Sequence, residues 1–486
     1  MNNLSKDVTA SLVVFLVALP LCVGVAVASG VPAELGLVTG IVGGLVAGLL
    51  PGSSLQVSGP AAGLTVLVYE AVTEFGLSAL GVLVLSAGLI QLAMGALQLG
   101  RWFRAISLSV VQGMLAGIGL VLIAGQLYAL AGSAAPGSGL DKLAGLPALA
   151  VRAAGDGRML TEAAIGVGTV LVLVLWRRLP ERVRPVPAPL AAVALATAAT
   201  ALGGWPIGRI EVHGLAAAVH LPAPADLAGL TGLGMAGTVV AFALIASAES
   251  LFSAAAVDRL HHGPRTDYDK ELIAQGAGNT VCGLLGALPL TAVIVRSAAN
   301  VQAGARTKAS RVLHGVWLLL FTALIPSALS AIPLAALAGV LVHAGAKLLP
   351  VRALPPLWRE HRGEALVLVA TAVAIVVTNL FEGVLLGLLL AVLKSAWETS
   401  QLHTEIRDEP ATGIRVRLSG HATFLRLPRL LETLESLPRG RPVHLDLTDL
   451  RHLDHACRTA LDEWAARHGH PGGGPGLAAR PAPQRP

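Results

Sequence analysis

About fourteen apolar stretches recur along this chain, most of them roughly 17–25 residues long and so long enough to cross about 30 Å of hydrocarbon as a helix. They read as 8–28, 35–50, 60–73, 78–98, 105–131, 160–176 and 187–203. After a polar interval they resume as 233–257, 271–287, 292–303, 310–328, 333–349, 364–379 and 382–397. Charged residues are only 13% of the 486 and hydrophobic ones 54%. A soluble domain carries about 25% charge, so most of this chain belongs in lipid. Its 55 glycines suit helices packed closely through small residues. The pattern predicts an α-helical polytopic membrane protein. Each set holds seven elements, the third of them short, and an odd number inverts the second repeat (233–397) relative to the first (8–203).

The formal net charge of +6 does not point to nucleic acid once its placement is read. Arg101, Arg104, Arg177, Arg178, Arg182, Arg184, Arg259, Arg265, Lys270, Arg306, Lys308, Arg311, Lys347, Arg352, Arg359 and Arg362 fall in alternate loops. The intervening loops are nearly free of cations, apart from Lys142, Arg152, Arg158 and Arg209. Basic loops stay on the cytoplasmic side, which predicts a multi-pass protein of the cytoplasmic membrane with both termini inside. No cleavable signal is expected, because Leu12–Ala28 runs straight into further spans with Lys6 alone as a basic residue before it. Cys22, Cys282 and Cys457 have no metal or redox spacing and read as small core fillers.

Two of the apolar segments are broken at matching places in the two halves. Gln56–Gly63, with Gly59 and Pro60, interrupts a run that resumes at Leu64. Gly286–Arg296 breaks the second copy at Pro289 and sets a cation just past the break. Paired broken helices mark the binding site of a secondary transporter. Their new N-termini present unpaired N–H groups and positive dipole ends, a means of holding anions.

Beyond Trp397 the character changes. Residues 412–419 alternate as a half-buried strand, Leu427–Leu437 has helical spacing, Pro442–Leu447 reads as a second strand and Cys457–Arg467 as an amphipathic helix. The expected division is a transmembrane domain over 1–400, a soluble α/β module over 401–470, near the lower size limit for a self-supporting core, and a disordered tail over 471–486.

These residues resemble the SulP family of anion transporters. The likeness is carried by Ala18-Leu19-Pro20 with Gly30–Leu37, by Ser58–Gly63, and by a long run from Ala248-Glu249-Ser250-Leu251. That run continues through Asp267–Glu271, Gln275-Gly276, Asn279, Gly283, Gly286, Pro289, Thr291, Arg296–Val301 and Gly304-Ala305. The resemblance implies fourteen spans in a core (1–4 and 8–11) and a gate (5–7 and 12–14), with a cytoplasmic STAS domain matching the C-terminal module. It places substrate between the facing N-termini of spans 3 and 10, and implies a homodimer.

On that reading Ala61, Ala62, Gly63, Val293, Ile294, Val295 and Arg296 bind substrate. Arg296, in the first turn of span 10, deepens an anion well at a helix N-terminus; an ion pair with Glu249 is the rival role. Glu249 lies in an otherwise almost uncharged span, and an intramembrane carboxylate faces a cavity or a partner. With Ser253 and the carbonyls near Thr291 and Ala292 it could ligate Na⁺ as a coupling ion, or it could take up a proton. No other cofactor is expected, and no nucleophile–base or metal constellation suggests an enzyme.

Two departures from the family pattern shape the substrate expectation. Leu21 stands where many members carry glutamine, and Ala61 and Ala62 where others carry a hydroxyl or an aromatic ring. An apolar-walled pocket suits a compact inorganic anion, bicarbonate first and sulfate second, over an extended dicarboxylate. Leu21 and the short STAS-like tail resemble the branch of bicarbonate transporters and relatives joined to carbonic anhydrases, so a carbonic anhydrase would here be a separate partner. An uncoupled anion channel and a nucleobase transporter are the competing classes. Leu453–Cys457 lacks the Ser or Thr of regulatory STAS domains, which favours dimer support or partner docking over a phospho-switch. His261 and His262 read as solvated loop histidines, and Asp267, Asp269, Lys270 and Glu271 as a solvated helix start.

Overall fold

The computed structural model describes residues 3–105, 107–178, 180, 186–210, 214–222, 233–325, 327–409, 413–438 and 441–468. Arg182, Arg184 and the tail 471–486 lie outside them. Residues 1–388 and 389–486 form two compact units.

A helix stands at each predicted span. In the first half these are α1 (Asn3–Ala28), α2 (Ala33–Val42), α3 (Thr65–Phe75), α4 (Leu77–Ala96) and α5 (Leu108–Leu130). Two unforeseen short helices follow, α6 (Gly139–Ala144) and α7 (Leu146–Gly155), before α8 (Gly157–Leu175) and α9 (Ala188–Gly203). The second half runs α10 (Leu233–Val257), α11 (Tyr268–Leu284), α12 (Ile294–Gln302), α13 (Ala309–Leu324), α14 (Leu334–Leu348), a short α15 (Leu354–Glu360), α16 (Arg362–Val377) and α17 (Leu380–Thr399). Among the described residues five helices are long and apolar enough to cross a membrane alone: α1, α4, α5, α8 and α10. Apart from α17, with 20 residues, the other helices named here have 17 or fewer.

Packing gathers the helices into two groups joined through α1. In one, α4 lies along α10 and α11, and α1 against α2, α12 and α13; in the other, α5 packs on α14 and α16, and α8 on α9 and α14; α1 also packs on α14 and α9. The α4–α11 contact is close enough that a Cβ on Gly283 would stand 2.2 Å from the Leu85 backbone nitrogen, and one on Gly88 would stand 2.4 Å from that of Thr280. Glycine is what allows these two helices to touch.

Three sequence expectations are corrected here. Arg311 is not a solvated loop cation: it sits in α13, 3% exposed, and donates to the Leu50 carbonyl at 2.8 Å. Glu271 is 1% exposed, accepting from Ser53 N–H at 2.8 Å and from Gln275 Nε2 at 2.6 Å. Only Asp267 does the work of a helix start, its carboxylate accepting from Lys270 N–H. His261 is half-buried, its side chain 8% exposed; its Nε2 lies 4.0 Å from Asp258 and its Nδ1 accepts from Gly263 N–H, whereas His262 is exposed. In each case a polar backbone turn captures the side chain, which a local reading of charge does not register. The three cysteines are free and buried.

The C-terminal unit has a three-stranded sheet ordered β3 (Leu402–Glu409), β4 (Gly413–Ala422), β5 (Val443–Leu453), the first pair antiparallel and the second parallel. Helix α18 (Leu427–Glu435) makes the β4–β5 crossover and α19 (His455–His468) follows β5. Leu418, Leu430, Leu434, Leu445, Leu461 and Trp464 form its core. β3 escaped the sequence reading because an edge strand tolerates a charged, solvent-facing composition. Asp454 caps α19 by accepting from Cys457 N–H and also accepts from Phe424 N–H.

Candidate functional site

The two breaks meet. Ser58–Pro60 (β1) and Leu290–Ala292 (β2) pair as a short antiparallel ladder, Ser58 opposite Ala292 and Pro60 opposite Leu290, extended by Val293 N–H donating to the Val57 carbonyl at 2.9 Å. Each chain leaves the ladder into a helix: the first through a 3₁₀ turn, Ala62–Leu64, into α3, the second directly into α12. Neither start has a side-chain cap, so the first N–H groups of both helices are left for a ligand or water.

Between them lies a cavity of about 130 Å³. Its lining includes Pro60, Ala61, Ala62 and Gly63 from the first break, Val293, Ile294, Val295 and Arg296 from the second, and Glu249 and Ser253 from α10. Leu21 of α1, Val111 and Met114 of α5, and Val340 of α14 supply an apolar wall from both helix groups. Thr291 and Ala292 stand outside this lining, fully buried and committed to the ladder.

Arg296 is fully buried, although it lies in the first turn of a helix bordering a cavity. Its Nη2 donates to the Pro60 carbonyl at 3.2 Å, while Nε and Nη1 have no hydrogen-bond partner. Gly59 makes room for it: a Cβ there would lie 2.1 Å from Nη1. No ion pair joins Arg296 to Glu249 among the described residues. Instead the Glu249 carboxylate lies over Gly63, where a Cβ would come within 2.5 Å of Oε1, and its Oε2 is buried without a partner. A carboxylate, a guanidinium and two uncapped helix ends thus border one small space. Such orphaned donors and acceptors are costly unless ligands complete them.

A polar lattice holds this arrangement from behind, and the second half supplies most of it. Ser297 Oγ accepts from Val57 N–H at 2.9 Å, Asn300 Nδ2 donates to the Leu55 carbonyl at 2.9 Å, and Gln275 Nε2 donates to Ser58 Oγ at 2.8 Å. Asn279 satisfies the backbone of Leu290 in both directions, and Ser250 Oγ accepts from Ala292 N–H at 3.2 Å. In the sequence alone these residues carry only a family likeness. Their work becomes visible when the ladder shows which backbone groups lack strand partners. Lys347, counted in the sequence with the loop cations, lies in the last turn of α14 and lines the same cavity. A cation closing an apolar helix is easily taken for a flank, and only the packing of α14 brings it to the site.

Half-helices facing across a buried cavity inside a mostly helical, apolar chain define a membrane transporter. Residues 4–371 match the sulfate permease family, and the chain belongs to that family. It is 28% identical to YvdB of Bacillus subtilis, named for sulfate transport, over 83% of this chain and 76% of that one. Identity is 27% to the bicarbonate transporter BicA of Picosynechococcus, over 83% and 72% respectively. The solved transmembrane domain of a cyanobacterial BicA matches 81% of this chain and 98% of its own, with TM-score 0.68 and 26% identity. The chain is therefore an anion transporter of this family, and its relatives are transporters rather than enzymes.

Proposed function

We propose that the chain performs secondary active transport of a compact inorganic anion, bicarbonate first and sulfate second. The observation that carries this is the cavity of about 130 Å³ bounded by two uncapped helix starts and the incompletely partnered Arg296 guanidinium. Such a space accommodates one oxyanion and some water and is small for an extended dicarboxylate. The names borne by BicA and YvdB support the same two anions.

Coupling runs through Glu249, with Ser253 beside it, to Na⁺ or H⁺; the Thr291 and Ala292 carbonyls lie behind them in the ladder. On this reading fourteen spans form two inverted repeats. The group containing α1–α4 and α10–α13 is the core that carries substrate, and it moves against the gate containing α5, α8, α9, α14, α16 and α17. Residues 401–470 act as a cytoplasmic STAS-like module supporting a homodimer or docking a partner, with a separate carbonic anhydrase as one such partner. The termini face the cytoplasm of a cell whose inner membrane holds the protein. Uptake into proteoliposomes of bicarbonate, sulfate or fumarate, each with and without a Na⁺ or pH gradient, tests the proposal. Gradient-driven accumulation of bicarbonate or sulfate is expected; flux of fumarate alone overturns the substrate assignment, and large uncoupled currents overturn the coupled mechanism.

A further inference from the structure

A second chamber lies next along α3. About 240 Å³ in volume, it is walled by Val27 and Ala28 of α1, by Thr65, Val66 and Tyr69 of α3, by α5 from Val121 to Ala129, and by the segment that leads to Lys142. Lys142 is one of the few cations on loops opposite the arginine-rich ones, and it is not solvated: the residue is 6% exposed. Its ammonium donates to the Gly137 carbonyl at 3.2 Å and stands 5.2 Å from the centre of the Tyr69 ring. The Tyr128 hydroxyl donates to the Lys142 carbonyl at 2.9 Å, fixing this segment to α5. Glu70 acts on Lys142 electrostatically without forming an ion pair.

The α3 wall carries an independent sign. Thr65 is 3% exposed, lines the chamber, and has a buried hydroxyl oxygen with no hydrogen-bond partner. A buried ammonium and an unpartnered buried hydroxyl facing one space are groups that an anion completes. Gln126 and Ser133 add polar capacity to the same chamber. Burial pulls the Lys142 ammonium below the usual lysine range, with Glu70 opposing; an anion beside it would restore the charged form.

We propose that this chamber is a second anion site, where Lys142 and Thr65 hold a small oxyanion adjacent to the central cavity and reached from the face opposite the basic loops. The inference rests on the transport reading and gives that pathway an outer station. Its test uses the full chain carrying Ala134→Cys, an exposed chamber position, labelled in membrane vesicles with an impermeant thiol reagent; Ser133→Cys serves as a second reporter. Bicarbonate or sulfate should slow labelling saturably. Adding Lys142→Gln should raise the half-protecting concentration about tenfold or more, as loss of a charge-assisted contact implies. Thr65→Val should raise it a few-fold. Protection that survives both Lys142→Gln and Thr65→Val unchanged would mean that the anion acts from the central cavity alone, overturning the proposal. So would absence of protection in vesicles whose uptake is intact. Absence of uptake with the natural residues in place would instead refute the transport reading.

Discussion

Replacing Arg296 by methionine separates a guanidinium kept for a ligand from one kept for the fold. Two of its donors, Nε and Nη1, are buried with no partner from the protein, and each such group costs about 1–3 kcal/mol unless water or an anion completes it. The variant forfeits the bond to the Pro60 carbonyl, worth about 1.5–3 kcal/mol for a charged donor. The two effects leave Arg296→Met neutral or stabilised by up to a few kcal/mol without anion. With anion the sign reverses. Two charge-assisted hydrogen bonds, at about 1.5–3 kcal/mol each, correspond to at least about a hundredfold in affinity. Purified protein melted in detergent across a bicarbonate or sulfate titration reports both effects. The unsubstituted protein should gain about 2.7 kcal/mol, a rise of a few degrees, at a hundred times the dissociation constant. Arg296→Met should start from an equal or higher melting temperature and show no anion-dependent rise. A variant that melts many degrees lower without anion, or keeps the full rise, refutes the reasoning.

Glu249→Gln should abolish gradient-driven accumulation in proteoliposomes while exchange of the same anion across the membrane continues; retained accumulation would remove Glu249 from coupling. Gly283→Ala places a methyl 2.2 Å from the Leu85 backbone nitrogen, which neither helix can yield easily. We expect a destabilisation of about 1–3 kcal/mol or more, seen as loss of monodisperse protein on size-exclusion chromatography. In the C-terminal unit, burial pushes the Asp454 carboxyl up, but the N–H groups of Cys457 and Phe424 hold it below the usual aspartate range on balance. A depressed carboxyl contributes stability above its unfolded value, and that contribution fades as pH falls through the folded one. Asp454→Ala should therefore cost about 1 kcal/mol at neutral pH, read as faster amide exchange at the start of α19, with the difference shrinking toward acid pH.

The spans, the paired breaks and most of the C-terminal strands and helices were legible because each rests on a local signal: apolar length, glycine with proline, or alternation. Arg296 was legible as a cation at a helix start, and Glu249 as a lone carboxylate in an apolar run. What was not legible depends on distant backbone. Glu271 looked like a solvated acidic turn because nothing near it in sequence shows that Ser53 N–H, 218 positions away, needs an acceptor. Lys142 looked like a loop charge because burial of a lysine is decided by the helices that close over it, and Lys347 because only the packing of α14 brings it to the cavity. α6 and α7 were missed because both are too short to register as spans: α6 has six residues, and α7, although apolar, has ten.

The ladder also explains why the two halves differ so much in chemistry despite sharing a layout. A strand followed by an uncapped helix needs outside partners for its backbone, and both breaks draw most of theirs from the second half. Gln275, Asn279, Ser297 and Asn300 serve one or other break, and Arg296 and Glu249 both reach the first, at Pro60 and over Gly63. The first half answers with residues whose virtue is absence: Gly59 leaves room for a guanidinium and Gly63 for a carboxylate. Changes in the second half should then alter which ions are held. Changes at Gly59 or Gly63 should displace Arg296 or Glu249 without altering either charge, and so impair binding and coupling through geometry alone.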